Sequence, residues 1–165
     1  TLTNPADAGR QLLGVYDREL VEKLAQVLSN LGVRRGLSVC GSDGLDEITV
    51  TGPTHCCEIR DGELTSFDIA PEQFGLKTYD IKEIAGGTPE ENAQITKDIL
   101  SGRLQGAKRD IVLMNAGLAI YVGRDDIGMG EAVALAADVI DSGRAYEKMK
   151  QFVKATNTAE GRRAL

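Results

Sequence analysis

The segment 41–47, Gly-Ser-Asp-Gly-Leu-Asp-Glu, gathers the side chains whose types and spacing could do chemistry. It places the three carboxylates of Asp43, Asp46 and Glu47 within five residues. Like charges this close repel each other unless a cation lies between them. Mg²⁺ typically binds one or two protein carboxylates together with waters and the phosphates of a substrate. A magnesium site is therefore one hypothesis and a solvated acidic turn is the other, and spacing alone favours the turn. Asp43, which precedes a glycine, is expected to be an ordinary turn residue.

Other chemical motifs are weaker. Gly128-Met129-Gly130 could offer amides to an anion at a helix start, but helix capping is the favoured role. His55 is the single histidine, next to Cys56 and Cys57, and three cysteines with one histidine do not have the spacing of a structural zinc site. No phosphate-binding GxxxxGK[ST] loop is present. The basic pairs Arg34-Arg35 and Lys108-Arg109 are expected to be solvated ends of helices or strands.

A strand, a helix and a second strand are predicted to position the acidic segment. The apolar run 11–16 predicts a buried strand, and Asp17 can cap a helix that ends near Gly32. Residues 37–40 predict the next strand, which makes a βαβ unit with parallel strands. Ligands of such sheets bind beyond the carboxyl ends of the strands. The segment 41–47 is thus expected on the rim where chemistry usually occurs.

The rest of the chain predicts a short antiparallel meander followed by helices. The meander is expected over residues 48–69, with a hairpin turn at Asp61-Gly62. Thr88-Pro89-Glu90-Glu91 is a capping box that opens a helix, and further helices are expected over 108–122, from 129 to 140 and after 143. The fold class is therefore an α/β parallel-sheet half-domain with an antiparallel meander and flanking helices. Residues 1–156 are assigned to it, and 157–165 to a frayed tail.

Composition excludes several classes of protein. The chain has 165 residues, and 19 Lys and Arg face 25 Asp and Glu, which gives a net charge of −6. A surface with this net negative charge repels nucleic acids and anionic membranes, so neither is expected to be a partner. No apolar run approaches the roughly 18 residues that a membrane-spanning helix needs. Three cysteines, two of them adjacent, do not suggest a disulfide framework and fit a cytoplasmic location.

The ordered set of motifs resembles the C-terminal part of the anthranilate phosphoribosyltransferase family. Each motif alone is weak, but together they occur in family order over about residues 1–156. The segments that carry the resemblance are Leu-Thr-Asn-Pro-Ala at 2–6, Gln-Leu-Leu-Gly-Val-Tyr at 11–16, Gly-Ser-Asp-Gly-Leu-Asp-Glu-Ile at 41–48, Ile-Ala-Pro-Glu-Gln-Phe-Gly-Leu at 69–76, Gly-Gly-Thr-Pro-Glu-Glu-Asn-Ala at 86–93, Asn-Ala at 115–116 and Ile-Asp-Ser-Gly-Arg-Ala at 140–145.

The resemblance implies a function and a metal site. Asp46 and Glu47 match the family's acidic pair, which helps to hold Mg²⁺ against the pyrophosphate of phosphoribosyl pyrophosphate. The family transfers the phosphoribosyl group to the amine of anthranilate, a step of tryptophan biosynthesis, as pyrophosphate leaves. It also implies a cytoplasmic homodimer in the intact enzyme.

The same resemblance implies that this chain is a fragment. The family's Gly-Thr-Gly-Gly-Asp phosphate loop, its Lys-His-Gly-Asn stretch and the arginine that meets anthranilate belong upstream of Thr1, and none is found here. We therefore expect negligible turnover from the chain alone. Two alternatives remain: a pyrimidine nucleoside phosphorylase of the same superfamily, and a non-catalytic module that assembles through an uncovered sheet edge.

Overall fold

The computed structural model describes Leu2 and residues 8–157. Most of the predicted opening motif at 2–6, and residues 158–165 of the predicted tail, lie outside the described residues. Asn157, which was assigned to the tail, is instead the last residue of a helix. Within the described residues, no helix is both long enough and apolar enough to cross a membrane. The assignment of residues 1–156 to one domain stays a prediction.

The predicted βαβ unit is confirmed. Strand β1 spans Arg10–Gly14, a 3₁₀ turn spans Arg18–Leu20, helix α1 spans Val21–Asn30 and strand β2 spans Arg35–Gly41. Strands β1 and β2 pair in parallel. The side chain of Asp17 caps the 3₁₀ turn by accepting a backbone hydrogen bond, so this aspartate starts the crossover as expected.

The antiparallel meander is shorter than predicted. Strand β3 spans Thr54–Arg60 and strand β4 spans Glu63–Ile69, and each pairs antiparallel with the strand before it. Asp61 and Gly62 have φ angles of 48° and 92°, as a two-residue type I′ hairpin turn requires. Residues 48–50, which the β-branched sequence placed in the meander, form a buried loop instead. Their backbone groups bond to side chains and to another loop rather than to a strand.

Helices make up the second half of the chain, as predicted. Thr88 caps its helix by the expected reciprocal pair of hydrogen bonds with Glu91, and Gly128 begins another helix as a cap. The helices are α2 (Ile81–Ile84), α3 (Pro89–Leu100), α4 (Ala107–Gly123), α5 (Met129–Asp141) and α6 (Arg144–Asn157), with a 3₁₀ turn at Pro71–Phe74.

The sheet lies between two helical layers. Its strand order follows the sequence, β1-β2-β3-β4. Helix α1 packs on one face around Leu28, Cys57 and Ile59, and helices α4 and α5 pack on the other around Leu37 and Leu118. Because both faces are covered, every residue of β2 is buried. The sheet is thus a rigid support for whatever projects from either end of β2.

Two of the arginines that were expected to be solvated are buried. Arg35 is 5% exposed and Arg109 is 9% exposed. Arg109 donates from a single nitrogen, Nη2, to both carboxylate oxygens of Asp141, at 2.8 and 2.9 Å. This ion pair compensates part of the cost of removing the guanidinium from water, while its Nε has no hydrogen-bond partner among the described residues. The expectation that both basic pairs are solvated was therefore wrong for one member of each pair, Arg35 and Arg109.

Candidate functional site

The acidic loop, residues 42–53, connects β2 to β3 at the carboxyl ends of the two parallel strands. The backbone pairing of β2 with β3 continues to its mouth, where the Ser42 amide donates to the Pro53 carbonyl at 2.9 Å. The loop is therefore closed at its base and projects from the predicted rim. This position confirms the placement expected from the βαβ pattern.

Asp46 and Glu47 lie side by side on the solvent-facing part of the acidic loop. Both side chains are exposed. Among the described residues, neither carboxylate has a hydrogen-bond or ion-pair partner. Two adjacent carboxylates on a fixed loop, with their oxygens uncommitted, are available to a cation. Their role as metal ligands stays a prediction.

The buried part of the loop fixes the position of the acidic pair. Ile48 follows Glu47 directly and is fully buried. Its amide donates to Asn115 Oδ1 at 3.1 Å, and its carbonyl accepts from Asn115 Nδ2 at 2.7 Å. The Val50 carbonyl accepts from the Tyr79 amide at 2.9 Å. A single amide side chain on α4 therefore satisfies both backbone groups of the residue next to the acidic pair.

Asp43 does more than shape a turn, contrary to the sequence-based interpretation. Its carboxylate accepts hydrogen bonds from the hydroxyls of Thr49 and Thr51, both at 2.5 Å, and from the Leu45 amide at 3.1 Å. Burial by itself would raise the pKa of Asp43, but the hydrogen bonds from the two threonines and Leu45 outweigh it and the pKa is lowered. Asp43 thus joins the two halves of the loop and has its oxygens occupied, which separates it from the acidic pair.

Gly14 lets the loop approach strand β1. A β-carbon at this position would overlap the carbonyl oxygen of Asp46. The last residue of β1 must therefore be glycine for the backbone of the acidic pair to sit where it does. The main chain of the strand end therefore lies directly against the main chain of the loop.

A cavity of about 430 Å³ opens beside the loop at the same end of the sheet. Its wall includes Arg18 from the turn after β1, Gly41 at the end of β2, Ser42 at the start of the loop, and His55 from β3. His55 is held between two carboxylates, with Nδ1 at 2.5 Å from Asp68 and Nε2 at 2.7 Å from an oxygen of Glu22. The volume is of the size that small-molecule sites occupy.

The donors present fit one side of a magnesium site. Among Leu2 and residues 8–157, no three His, Cys, Asp or Glu side chains are grouped to hold a metal ion. Asp46 and Glu47 offer two hard oxygen donors, which matches the one or two carboxylates that Mg²⁺ takes when waters and phosphates supply the rest. The chemistry of the pair fits this ion better than zinc, which prefers nitrogen and sulfur ligands.

Asn115 was the positioning residue that reasoning from the residues missed. The sequence showed it only as part of a resemblance motif. A signal was nevertheless present, because Asn115 is an amide within an otherwise apolar helical run, and a polar side chain packed against a core needs specific partners. Here those partners are the backbone groups of Ile48.

Comparison with known proteins shows which proteins this chain is similar to. The anthranilate phosphoribosyltransferase of Endomicrobium trichonymphae is 49% identical over 156 residues, which cover 94% of this chain and 46% of that protein. The crystal structure of the Thermus thermophilus enzyme (TrpD) superimposes with a TM-score of 0.84 at 36% identity, over 92% of this chain and 44% of that one. The chain therefore spans about half the length of the curated relatives it matches.

A third relative has its ligands in place. The Saccharomyces cerevisiae anthranilate phosphoribosyltransferase in complex with phosphoribosyl pyrophosphate and Mg matches with a TM-score of 0.78 at 28% identity, over 88% of this chain and 42% of that one. The family model described as "Glycosyl transferase family, a/b domain" matches residues 1–146. On this match, which covers most of the sequence, the chain belongs to this glycosyl transferase family.

Proposed function

We propose that this chain supplies the metal-holding side of an anthranilate phosphoribosyltransferase. Such an enzyme transfers the phosphoribosyl group of phosphoribosyl pyrophosphate to the amine of anthranilate and releases pyrophosphate. The observation that carries the proposal is the pair Asp46 and Glu47, exposed and without partners among the described residues, at the carboxyl end of a parallel strand. Relatives with this name and a relative with bound Mg and phosphoribosyl pyrophosphate support the assignment.

The residues of this chain have defined tasks in the proposal. Asp46 and Glu47 hold the cation, and Asn115 and Asp43 keep the acidic loop in place before the substrate arrives. When bound, Mg²⁺ neutralises charge that develops on the departing pyrophosphate. Preorganised groups of this kind lower the barrier because they need not rearrange during the reaction.

The remaining parts of the proposed site belong to sequence that this chain does not contain. The Gly-Thr-Gly-Gly-Asp loop that the resemblance calls for is not found among the 165 residues. Binding of the donor and of anthranilate, assembly as a homodimer and a cytoplasmic location are proposals for the whole protein. We expect the chain alone, given Mg²⁺ and both substrates, to show negligible turnover.

A chimaera tests the proposal. The part of the Endomicrobium trichonymphae enzyme that this chain does not match is joined to residues 1–165, and anthranilate-dependent release of pyrophosphate is measured. We expect activity that requires Mg²⁺. The double substitution Asp46→Asn and Glu47→Gln should lower kcat/KM by about 100-fold or more, since the charge-stabilising contribution of such groups is of that order. It should also shift the Mg²⁺ requirement to higher concentration.

A charge-matched control separates the site from general charge effects. Glu63 and Glu90 are exposed and lie on β4 and α3, outside the acidic loop. Changing both to Gln removes the same two charges and should leave kcat/KM within about twofold of the unchanged chimaera, since distant surface charges contribute little. A folded chimaera without activity, or equal losses in both double variants, would refute the proposal. Phosphorolysis of thymidine or uridine would indicate a nucleoside phosphorylase instead. A stable, inactive assembly that does not respond to Mg²⁺ would indicate a structural module.

A further inference from the structure

A second cavity lies at the opposite end of the sheet from the acidic loop. It has a volume of about 210 Å³ and is lined by Arg10 at the start of β1, Arg34 and Arg35 at the start of β2, and Arg60 at the end of β3. Strand β2 has seven residues, so about 20 Å of strand separates this arginine cavity from the acidic loop. The two places cannot share a small ligand.

The arginine cavity is basic in a chain that is acidic overall. Four guanidinium groups line it together with two carboxylates, those of Asp61 and Asp125. A third carboxylate, that of Glu58, pairs with Arg60 at 2.9 Å, so four positive charges face three negative ones and a local excess of positive charge remains. The whole chain has a net charge of −6. A positive concavity on such a surface focuses the electrostatic potential and attracts small anions.

Three of the arginines are held in place by contacts within the described residues. Asp125 accepts from Arg10 at 2.5 Å and from Arg35 at 2.6 Å. The guanidinium of Arg35 lies over the ring of Tyr121, 4.6 Å from its centroid. Arg60 donates to the hydroxyl of the same tyrosine at 2.8 Å. The guanidinium groups are thus oriented in advance, so a ligand would not have to order them.

Two arginines of the cavity retain hydrogen-bond donors that have no acceptor among the described residues. The Arg35 side chain is 6% exposed, and its Nε has no hydrogen-bond partner among the described residues. Arg34 lines the cavity and is exposed, and its side chain has no hydrogen-bond or ion-pair partner among Leu2 and residues 8–157. A buried guanidinium nitrogen without an acceptor is costly, since it has lost its water and gained nothing in exchange.

We propose that the arginine cavity binds a phosphate group. Guanidinium forks match the geometry of phosphate oxygens and can bind them through two parallel hydrogen bonds. The volume is below that of sites for drug-sized ligands, so inorganic phosphate or the terminal phosphate of a small ester is the class of ligand. Asp125, with a side chain 71% exposed, already places one anionic group against two of the arginines and competes with the ligand for them.

Because Asp125 competes with the ligand, the proposal can be tested with two substitutions that should change the affinity for phosphate in opposite directions. Binding of inorganic phosphate to this chain is measured by calorimetry, without divalent ions and at constant ionic strength set with NaCl. Arg34→Gln should raise the dissociation constant about tenfold, the effect of losing one charge-assisted hydrogen bond. Asp125→Asn should lower it severalfold, even though the same change removes two ion pairs from the free protein.

The control removes an arginine elsewhere. Arg103 follows helix α3, is exposed and pairs with Asp98. It does not line the arginine cavity, so Arg103→Gln should leave phosphate binding unchanged. A second titration with glycerol 3-phosphate distinguishes a free phosphate ion from a phosphate ester. Absence of phosphate binding over the NaCl background, or binding that Arg34→Gln and Asp125→Asn leave unchanged, overturns the proposal.

Discussion

The two ends of the sheet present opposite charges that are held by opposite means. At the carboxyl ends of the parallel strands, Asp46 and Glu47 have no side-chain partner among the described residues, and the main chain around them is fixed by Asn115. At the amino ends, Arg10 and Arg35 are tied directly to a carboxylate. One end fixes the backbone and leaves its charges available, whereas the other fixes the charges themselves.

This difference shows where a substitution should act at each end. Around the acidic loop, damage comes from changes to neutral residues that support the backbone. Around the arginine cavity, it comes from changes to the charged residues. Three experiments test this difference, two at the acidic loop and one at the arginine cavity.

Replacing Gly14 by alanine should have the largest effect. The new β-carbon would overlap the Asp46 carbonyl oxygen, so the strand or the loop must shift. We expect the free energy of unfolding to fall by about 3 kcal/mol, as for an overpacked site whose neighbour is backbone. Urea denaturation measures it. Gly123→Ala is the matched control, because apart from its chain neighbours and its own helix backbone nothing among the described residues lies within 4 Å of the added carbon. It should change stability by less than about 0.5 kcal/mol.

Asn115→Ala should have an intermediate effect. It leaves the buried amide and carbonyl of Ile48 without partners, and we expect a loss of about 2 kcal/mol in the free energy of unfolding. In the chimaera it should also raise the Mg²⁺ requirement. Asn30→Ala is the control, since Asn30 is exposed and makes one surface hydrogen bond with Gln26. Equal losses in the two variants would contradict the proposed positioning role.

Acid should produce the smallest effect, and it acts on the arginine end. Hydrogen bonds from Arg10 and Arg35 lower the pKa of Asp125 to about 2. In the unfolded chain the pKa of this carboxyl is near 3.8. Because folding lowers the pKa, the ionised carboxylate stabilises the folded protein above pH 3.8, and this stabilisation is lost as the pH falls through about 2. Melting temperatures recorded from about pH 5 down to about pH 2 should therefore fall less steeply in Asp125→Asn than in the unchanged chain. Identical slopes would show that these pairs add nothing measurable.

The βαβ unit and most helices could be predicted because their signals are local. Asp17 and Thr88 accept backbone hydrogen bonds from residues two or three positions further on, so cap and helix are read from the same short segment. Asp61-Gly62 likewise needs only its own backbone angles to specify a hairpin turn. The location of the acidic pair on the rim followed from this local reading.

The errors arose where the deciding contact is distant in sequence. Residues 48–50 have the β-branched character of a strand, but their backbone is satisfied in part by Asn115 and Tyr79, from elements far along the chain. Arg35 resembles a surface residue beside Arg34, yet the ring of Tyr121 covers it. Neither partner can be inferred from the neighbouring sequence, because the tertiary fold brings them together.

The closed base of the acidic loop has a consequence for variation in its length. The ladder between β2 and β3 runs to the pair of Gly41 with Thr54, so strand register is settled before the loop begins. Insertions or deletions at the exposed tip, around Gly44, would therefore alter the loop before the acidic pair without shifting the register of β2 against β3. The length of the loop tip can vary on such a scaffold while the hydrophobic core and the anchored carboxylates stay the same.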